Sequence, residues 1–581
     1  MREMRRVSGL RRLAVAATLS IVWGSHTHAL VGGQYDPAAN SINNAVIINY
    51  EVGAGTFYNY GDIFGNVYHN FGTLAVVANI EGGSSWNGHE TLTRLNTYIP
   101  SLSTPGVDPL FTAHATGVGM VIAGSRPVVE ETNLLEAGIA PGATLWSANI
   151  ATSIDASTGS FTIDDHKFIS AYRTALKTGL SGTTADVVNS SWGTGGDDAP
   201  TSNNHYYSVA IDALAAQTAK TVVFAAGNSG PGSNTISAPA TSYNSIVVGA
   251  SAYSVINPYT TVADFSSRSP TDGFIPTSAA VLLNGDSVAA GVYHPGARAA
   301  VSLLAPGEYL FTAYYSADDP TQTGLYAIEA SGTSFAAPIV AGGAALLVDT
   351  GRTWFAGSDK AIDARVIKAV LMNSADKTAD WNNGQTIVNG VIRTTQALDY
   401  ASGAGRLNLT TAFIQYLNGS QFVDDTGSGG LVASTGWVYG KAKAGTPTDY
   451  HIFGDLIQGT RFTVTLDWFV NSLLADGSDT PSYGSFDNLD LEIWHIADGM
   501  PDFLVAESAS MFENVEHLSF TVPSTGEYMI RVNWKGELYD LVNAADQDEF
   551  GLAFYNQVPE PGGLVGIVGI FGLLRRKRRR V

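Results

Sequence analysis

Three polar residues stand at breaks between apolar segments, and together they offer the parts of an acyl-transfer site. Ser334 lies in the octapeptide SGTSFAAP, Ser331 to Pro338, ahead of the small-residue run FAAPIVAGGAALLV. That run reads as a buried helix, so Ser334 sits at its positive end, with Gly332 allowing a close backbone approach. Pro338 is expected in the first turn, where a proline costs no hydrogen bond. A serine so placed is either a helix cap or, given something to take its proton, a nucleophile. Asn228 follows an apolar run in Gly227-Asn228-Ser229-Gly230. Its amide can donate to a developing oxyanion, or the segment simply closes a turn. His114 opens HATGVG, where Ala and Gly let a helix pack closely while the imidazole faces outward. Alone it reads more simply as structural; ahead of the Asn and Ser motifs it becomes a candidate base.

These residues need a rigid frame. Short apolar, β-rich runs at 74–80, 143–148, 185–189, 221–226 and 245–250 alternate with helical patterns at 165–178 and 206–220. Near-continuous apolar strands between helices predict a parallel sheet covered on both faces. Residues 361–375 (AIDARVIKAVLMNSA) predict a further amphipathic helix, and the Gly-, Ser- and Asp-rich stretch 417–434 a linker. Beyond it, RFTVTLDWF, NLDLEIW, HLSFTV and EYMIRVNW alternate apolar and polar residues, the pattern of an antiparallel β-sandwich.

The chain has 581 residues, too many for one hydrophobic core, and its formal charge of −21 argues against a nucleic-acid partner. It has no cysteine, so packing or bound ions must stabilise it. The basic residues gather at both ends. Arg2, Arg5, Arg6, Arg11 and Arg12, the apolar stretch 13–23 and Thr27-His28-Ala29 have the three parts of a secretory signal, so residues 1–29 are expected to be removed. At the other end, Val558-Pro559-Glu560-Pro561 precedes the apolar stretch 562–574 and six basic residues, Arg575 to Arg580. Thirteen helical residues span roughly 20 Å against a bilayer core of about 30 Å, so snorkelling or local thinning must cover the difference. This order resembles the PEP-CTERM sorting signal of Gram-negative bacteria that make exopolysaccharide. The resemblance implies export, transient membrane association through 557–581, removal of the tail by an exosortase, and residence at the cell surface or in the matrix.

The motifs SGTSFAAP, FAAGNSG and HATGVG resemble those of the subtilisin-like serine proteases, in the family's order, across roughly 75–408. GIAPGATLWSANI, VVNSSWG, SIVVGAS and GAGRLN agree with its framework. Phe335 stands where Met is commoner, and Ala115 and Gly117 replace the usual Gly and His. The resemblance implies an α/β, three-layer fold with a mainly parallel sheet. It implies Ser334 as nucleophile, His114 as general base and acid, and Asn228 as oxyanion donor. It further implies that Ser191, Trp192 and Gly193, with Ala225, Ala226 and Gly227, form two backbone edges holding an extended peptide.

The acid is where this chain departs. The family has Asp followed by Ser or Thr and Gly after its first strand; here AVVANI leads to Glu81-Gly82-Gly83. Aligning Glu81 with the acid keeps the following Gly in place. Asn79, the alternative, needs a longer loop and carries no charge to stabilise an imidazolium. Glu81 is therefore expected as the orienting acid, an exchange that α/β-hydrolases also show.

The expected organisation is a signal peptide (1–29), a short N-terminal segment (30–73) with little room for a propeptide, a catalytic domain (74–416), a linker (417–435), a jelly-roll-like β-sandwich (436–556) and the sorting signal (557–581). No cofactor is expected for catalysis. Structural calcium is a family expectation without a site, residues 124–137 matching no calcium loop. In the sandwich, Asp487, Asp490 and Glu492 are either cation ligands or solvated strand charges. The expected activity is that of an exported serine endopeptidase, with protein or peptide substrates, and signal peptidase and exosortase as processing partners. The alternative is an inactive binding or adhesion module on the same fold.

Overall fold

The structure, a computed structural model, describes residues 35–36, 41–42 and 48–557, apart from 59, 62–66, 100–109, 126–136, 156–158, 195–201, 278–280 and 284–285. The expected signal peptide (1–29), all of the expected sorting signal beyond residue 557 and most of 124–137 lie outside the described residues.

Among the described residues the first sheet has eight strands, and six of them form its parallel body: β1 (Val76–Glu81), β2 (Thr144–Asn149), β3 (Val187–Ser190), β4 (Thr221–Ala225), β5 (Ile246–Ala252) and β6 (Leu303–Pro306), with the two-residue strands Thr97–Tyr98 and Thr261–Val262 at its margins. The six lie in the order β6-β5-β4-β3-β1-β2, every neighbouring pair parallel. Each strand is buried on both faces. Val77, Val187 and Val223 face one core with α1 (Ala113–Ala123), α4 (Thr333–Trp354) and α5 (Ala364–Asn373). Ala78, Val188 and Val222 face a second core with α2 (Asp165–Arg173) and α3 (Tyr206–Thr218). The alternation of adjacent valines between two apolar cores explains why these strands read as continuous runs. The expected three layers are present. α4 is long and apolar enough to cross a membrane, yet 89% of its apolar window is buried inside the protein, as a core helix is.

The chain runs from β1 outward to β2 and then back to β3 on the other side of β1. That reversal opens a crevice at the C-terminal ends of β1 and β3, where open α/β sheets bind ligands. The N-terminal segment is no appendage: Val52, Ala54 and Phe57 enter the first core, and Asn49 donates to Gly138 O at 2.8 Å.

The second unit has two sheets whose facing residues, among them Val464, Leu552, Leu491 and Ile530, share one core. The sheets are mixed rather than purely antiparallel: Val391–Thr394 with Met500–Ser508, Ser420–Val423 with Gly436–Lys443, and Gly430–Val432 with Thr448–Ile452 are parallel pairs. The expected linker 417–435 is corrected by two of these pairs, since it supplies a strand to each sheet. Its polar composition belongs to a turn in which the Asp424 carboxylate accepts the N–H groups of Thr426, Ser428 and Gly429. The boundary at 416 is likewise crossed, because Val391–Thr394 joins a sheet of the second unit. α5 fastens the units further. Lys368 Nζ lies 2.9 Å from the buried Asp467, and Arg365 bonds Asp363 and Tyr439, each at 2.9 Å.

Asp487, Asp490 and Glu492 do not converge as cation ligands. Lys535 pairs with Asp490 (3.3 Å) and Glu492 (3.8 Å), whose oxygens also accept from Asn533 and Trp494. Burial pushes Asp487 up to about 7 and Asp490 up to about 6. Among the described residues no group of three or more His, Asp or Glu is placed to hold a metal ion.

Candidate active site

Glu81 is the last residue of β1 and only 1% exposed. Gly82 and Gly83 follow because the chain turns against Phe161 and Thr112: a Cβ would lie 2.6 Å from Phe161 at the first and 2.3 Å from Thr112 at the second. Thr112 caps α1, its hydroxyl accepting from Ala115 N at 3.1 Å, which sets His114 in the first turn with its imidazole partly exposed. His114 Nδ1 stands 3.4 Å from Glu81 Oε2. The other carboxylate oxygen, Oε1, accepts Ser191 N–H at 2.7 Å. Oε2 is buried and has no hydrogen-bond donor among the described residues; the imidazole is its ion-pair neighbour. A buried carboxylate oxygen without a donor is costly, so a proton on the facing imidazole nitrogen is worth most when that ring is cationic.

Asn79, the alternative acid position, faces elsewhere. Its Nδ2 donates to Ser85 Oγ (3.2 Å) and Ala115 O (3.3 Å), and its Oδ1 accepts from Asn189 at 3.1 Å. Ser85 Oγ also donates to Ala115 O, at 2.7 Å. Asn79 therefore braces the start of α1 beneath His114, a supporting role the sequence did not reveal.

Ser334 is the second residue of α4, behind Gly332, whose φ of 145° suits glycine alone. Its N–H belongs to the first helical turn, where no intrahelical acceptor exists. Pro338 is the sixth helical residue, not a first-turn one, and its missing N–H leaves Ser334 O without its helical donor. Ser191 fills the gap: its hydroxyl donates to Ser334 O at 2.8 Å. Ser334 Oγ donates to Ser191 O at 3.2 Å rather than to His114. Phe335 packs beside the imidazole, ring centroids 5.8 Å apart.

Asn228 lies beyond β4 with its amide oriented by Thr333, a residue sequence reasoning passed over. Its Oδ1 accepts from Thr333 N (2.9 Å) and Thr333 Oγ1 (3.0 Å), and Thr333 Oγ1 in turn accepts Gly227 N–H at 3.1 Å. With the oxygen so held, Nδ2 is the free end. It lies on the Gly332 side, 3.5 Å from where a Cβ on that glycine would stand.

The six expected peptide-holding residues divide. Ser191 and Gly227 have their backbone groups engaged within the site: Ser191 by Glu81 and Ser334, Gly227 by Thr333 and by Ser267 N–H. Ala226 N–H is taken by Val248 O. The Trp192 side chain is core, 6% exposed and packed on Phe161, Phe168, Tyr207 and Phe224. The backbones of Trp192 and Gly193 lie past the end of β3, and Ala225 ends β4, buried and in register with Val248.

The subtilase-family model matches residues 100–405, just over half of the 581-residue chain, a span that includes His114, Asn228 and Ser334 but not Glu81. A curated relative, the subtilisin-like protease SBT3.1 of Arabidopsis thaliana, is 33% identical over 137 residues, 22% of this chain and 16% of the relative. The chain thus spans about a sixth of that relative's length. Similar solved structures include a mutant of the protease domain of PatA (24% identity, TM-score 0.40, 59% of this chain and 95% of that one). The prenylagaramide maturation protease PagA is another (23%, 0.39, 59% and 94%). On the family match, which spans the helix of the histidine, the turn of the asparagine and the helix of the serine, the chain belongs to the subtilase family.

Proposed function

We propose that the protein is a serine endopeptidase working through an acyl-enzyme on Ser334. Ser334 Oγ turns from Ser191 O toward His114 and attacks a peptide carbonyl as His114 Nε2 takes its proton. Glu81 holds the ring through Nδ1 and stabilises the imidazolium, while Asn228 Nδ2 and Ser334 N–H receive the oxyanion. The intermediate collapses as His114 gives its proton to the leaving amine. Water then attacks the ester carbonyl as His114 takes its proton, and the acyl–Oγ bond breaks as His114 returns that proton to Ser334 Oγ, releasing the acid.

The observation that carries this reading is the buried Glu81 carboxylate, divided between Ser191 N–H and the His114 imidazole. A fixed, dry acid behind a partly exposed histidine has its largest effect when the ring is charged, which is in the transition state. A fluorophosphonate probe tests it: the matured protein should label at Ser334, and Ser334→Ala should not. An unlabelled wild-type protein overturns the reading and favours the inactive binding module, a reading to which the Ser334–Ser191 bond lends some support.

The basic, apolar and small-residue order of 1–29 and the Pro-Glu-Pro, apolar and basic order of 557–581 support export and surface or matrix residence. Signal peptidase and exosortase are the proposed processing partners.

A further inference from the structure

Aromatic side chains gather on the β2 side of β1, where Ser85 N–H donates to Ser147 Oγ at 2.9 Å, whereas Ser191 and Asn228 follow β3 and β4 on the other side. The chain after Glu81 and the chain before His114 are joined there, Ser84 N–H donating to Leu110 O at 2.7 Å and Thr112 N–H to Ser84 O at 3.2 Å. Trp86 N–H donates to Thr116 Oγ1 at 3.0 Å, which fixes the Trp86 backbone to α1 two residues past the histidine. Tyr315 completes the group, 5.2 Å from Trp86 and 5.8 Å from Phe111 between ring centroids. It comes from a hairpin, Leu310–Ala313 with Tyr326–Ala330, whose second strand leads directly into Ser331 and α4. The hairpin presses on α1: a Cβ on Gly117 would lie 3.1 Å from Ala313 O. Tyr326 OH ties it to Glu90 at 2.6 Å.

Trp86, Phe111 and Tyr315 are each half-buried; Gly88 lies against the Trp86 ring, and Phe111 also meets Tyr98 at 6.0 Å between centroids. An acyl half lying along Trp192–Gly193 and Ala225 leaves the opposite half of a peptide to pass His114, which must protonate its amine. Phe335 packs beside the His114 ring, and both it and the hairpin pack on α1 at Gly117. We infer that Trp86, Phe111 and Tyr315 form a specificity shelf for an aromatic or large apolar side chain in the leaving half of the substrate. The inference rests on the peptidase reading and adds to it the chemistry selected on the leaving side.

The test uses the matured full chain and quenched fluorogenic peptides identical in their acyl half, with Phe, Leu, Gly or Lys at each of the first three leaving-half positions. At one position Phe should exceed Gly by about 10-fold or more in kcat/KM. Trp86→Ala and Tyr315→Ala should bring that ratio close to one, and Tyr315→Phe should preserve it, with melting curves confirming that each variant is folded. Cleavage without preference in the parent, or a preference untouched in both alanine variants, overturns the shelf alone. No cleavage of any peptide together with no fluorophosphonate labelling removes the peptidase reading and the shelf with it.

Discussion

Ser191 and Ser334 exchange hydrogen bonds in both directions: the Ser191 hydroxyl donates to Ser334 O at 2.8 Å, and the Ser334 hydroxyl donates to Ser191 O at 3.2 Å. Ser191 also gives its N–H to Glu81, so one residue touches both the acid and the nucleophile. The arrangement follows from Pro338, whose missing N–H opens the place that Ser191 fills.

Removing the Ser191 hydroxyl should therefore strand Ser334 O. Ser191→Ala is expected to lower stability by about 1–3 kcal/mol, the cost of a buried acceptor without a donor, and to reduce kcat. Pro338→Ala restores a helical N–H to the same oxygen. The double variant should recover much of the loss, and a thermodynamic cycle on melting and on kcat/KM reads the coupling.

Glu81 spans two donors with one side chain. Glu81→Gln keeps the shape but not the charge, and kcat should fall by about 10²–10⁴, the upper figure being that of the Asp-to-Asn exchange in a serine-protease triad. Glu81→Asp shortens the arm by one methylene, so contact with Ser191 N or with His114 Nδ1 must lengthen. It should retain more activity than the glutamine variant. Pre-steady-state acylation rates over neutral pH compare the three.

Asn228 is held by its oxygen so that its nitrogen is presented. Asn228→Ala should lower kcat by about 10²–10³ with little change in KM, the loss recorded for an oxyanion donor of this type. Thr333→Val deletes one of the two bonds that orient the amide and should cost less, about 10-fold. Equal losses in KM would point to ground-state binding instead.

Where chemistry was written as a motif with strong local periodicity, the sequence was legible. Five of the six parallel core strands fall within a few residues of their expected places, since apolar runs bounded by polar turns leave little freedom; Leu303–Pro306 was not among those expected. Glu81 was placed by the glycines after it, and those glycines are required by contact with Phe161 and Thr112. What escaped notice depends on partners distant in sequence. Ser420–Val423 is four residues long and reads as linker until Gly436–Lys443 is beside it. Trp192 looked available to a ligand because nothing local says that its ring turns into the core. Thr333 looked like filler between a glycine and the serine, because its importance lies in what it does for Asn228, more than a hundred residues earlier.

The pH dependence of stability should show at Asp212, on α3, where the first unit meets the second. Complete burial pushes its carboxyl up to about 7, against Asn244 N–H and the nearby Arg298, which act in the opposite sense. Its Oδ1 accepts Asn244 N–H at 2.8 Å, and the Asn244 side chain bonds both backbone groups of Val470 across the contact between the units. A carboxyl whose folded pKa lies above its unfolded value holds its proton more tightly when folded. Its contribution to stability is therefore full below about pH 4 and is lost as pH rises toward 7. Asp212→Asn cannot ionise, yet still offers an oxygen to Asn244. Relative to the parent it should gain about 2–4 kcal/mol at pH 8, and the gain should shrink steadily toward pH 4. Denaturant melts of both proteins between pH 4 and pH 8 measure the difference. A gap that stays constant with pH would mean that Asp212 is ionised throughout and that Arg298 compensates its charge fully.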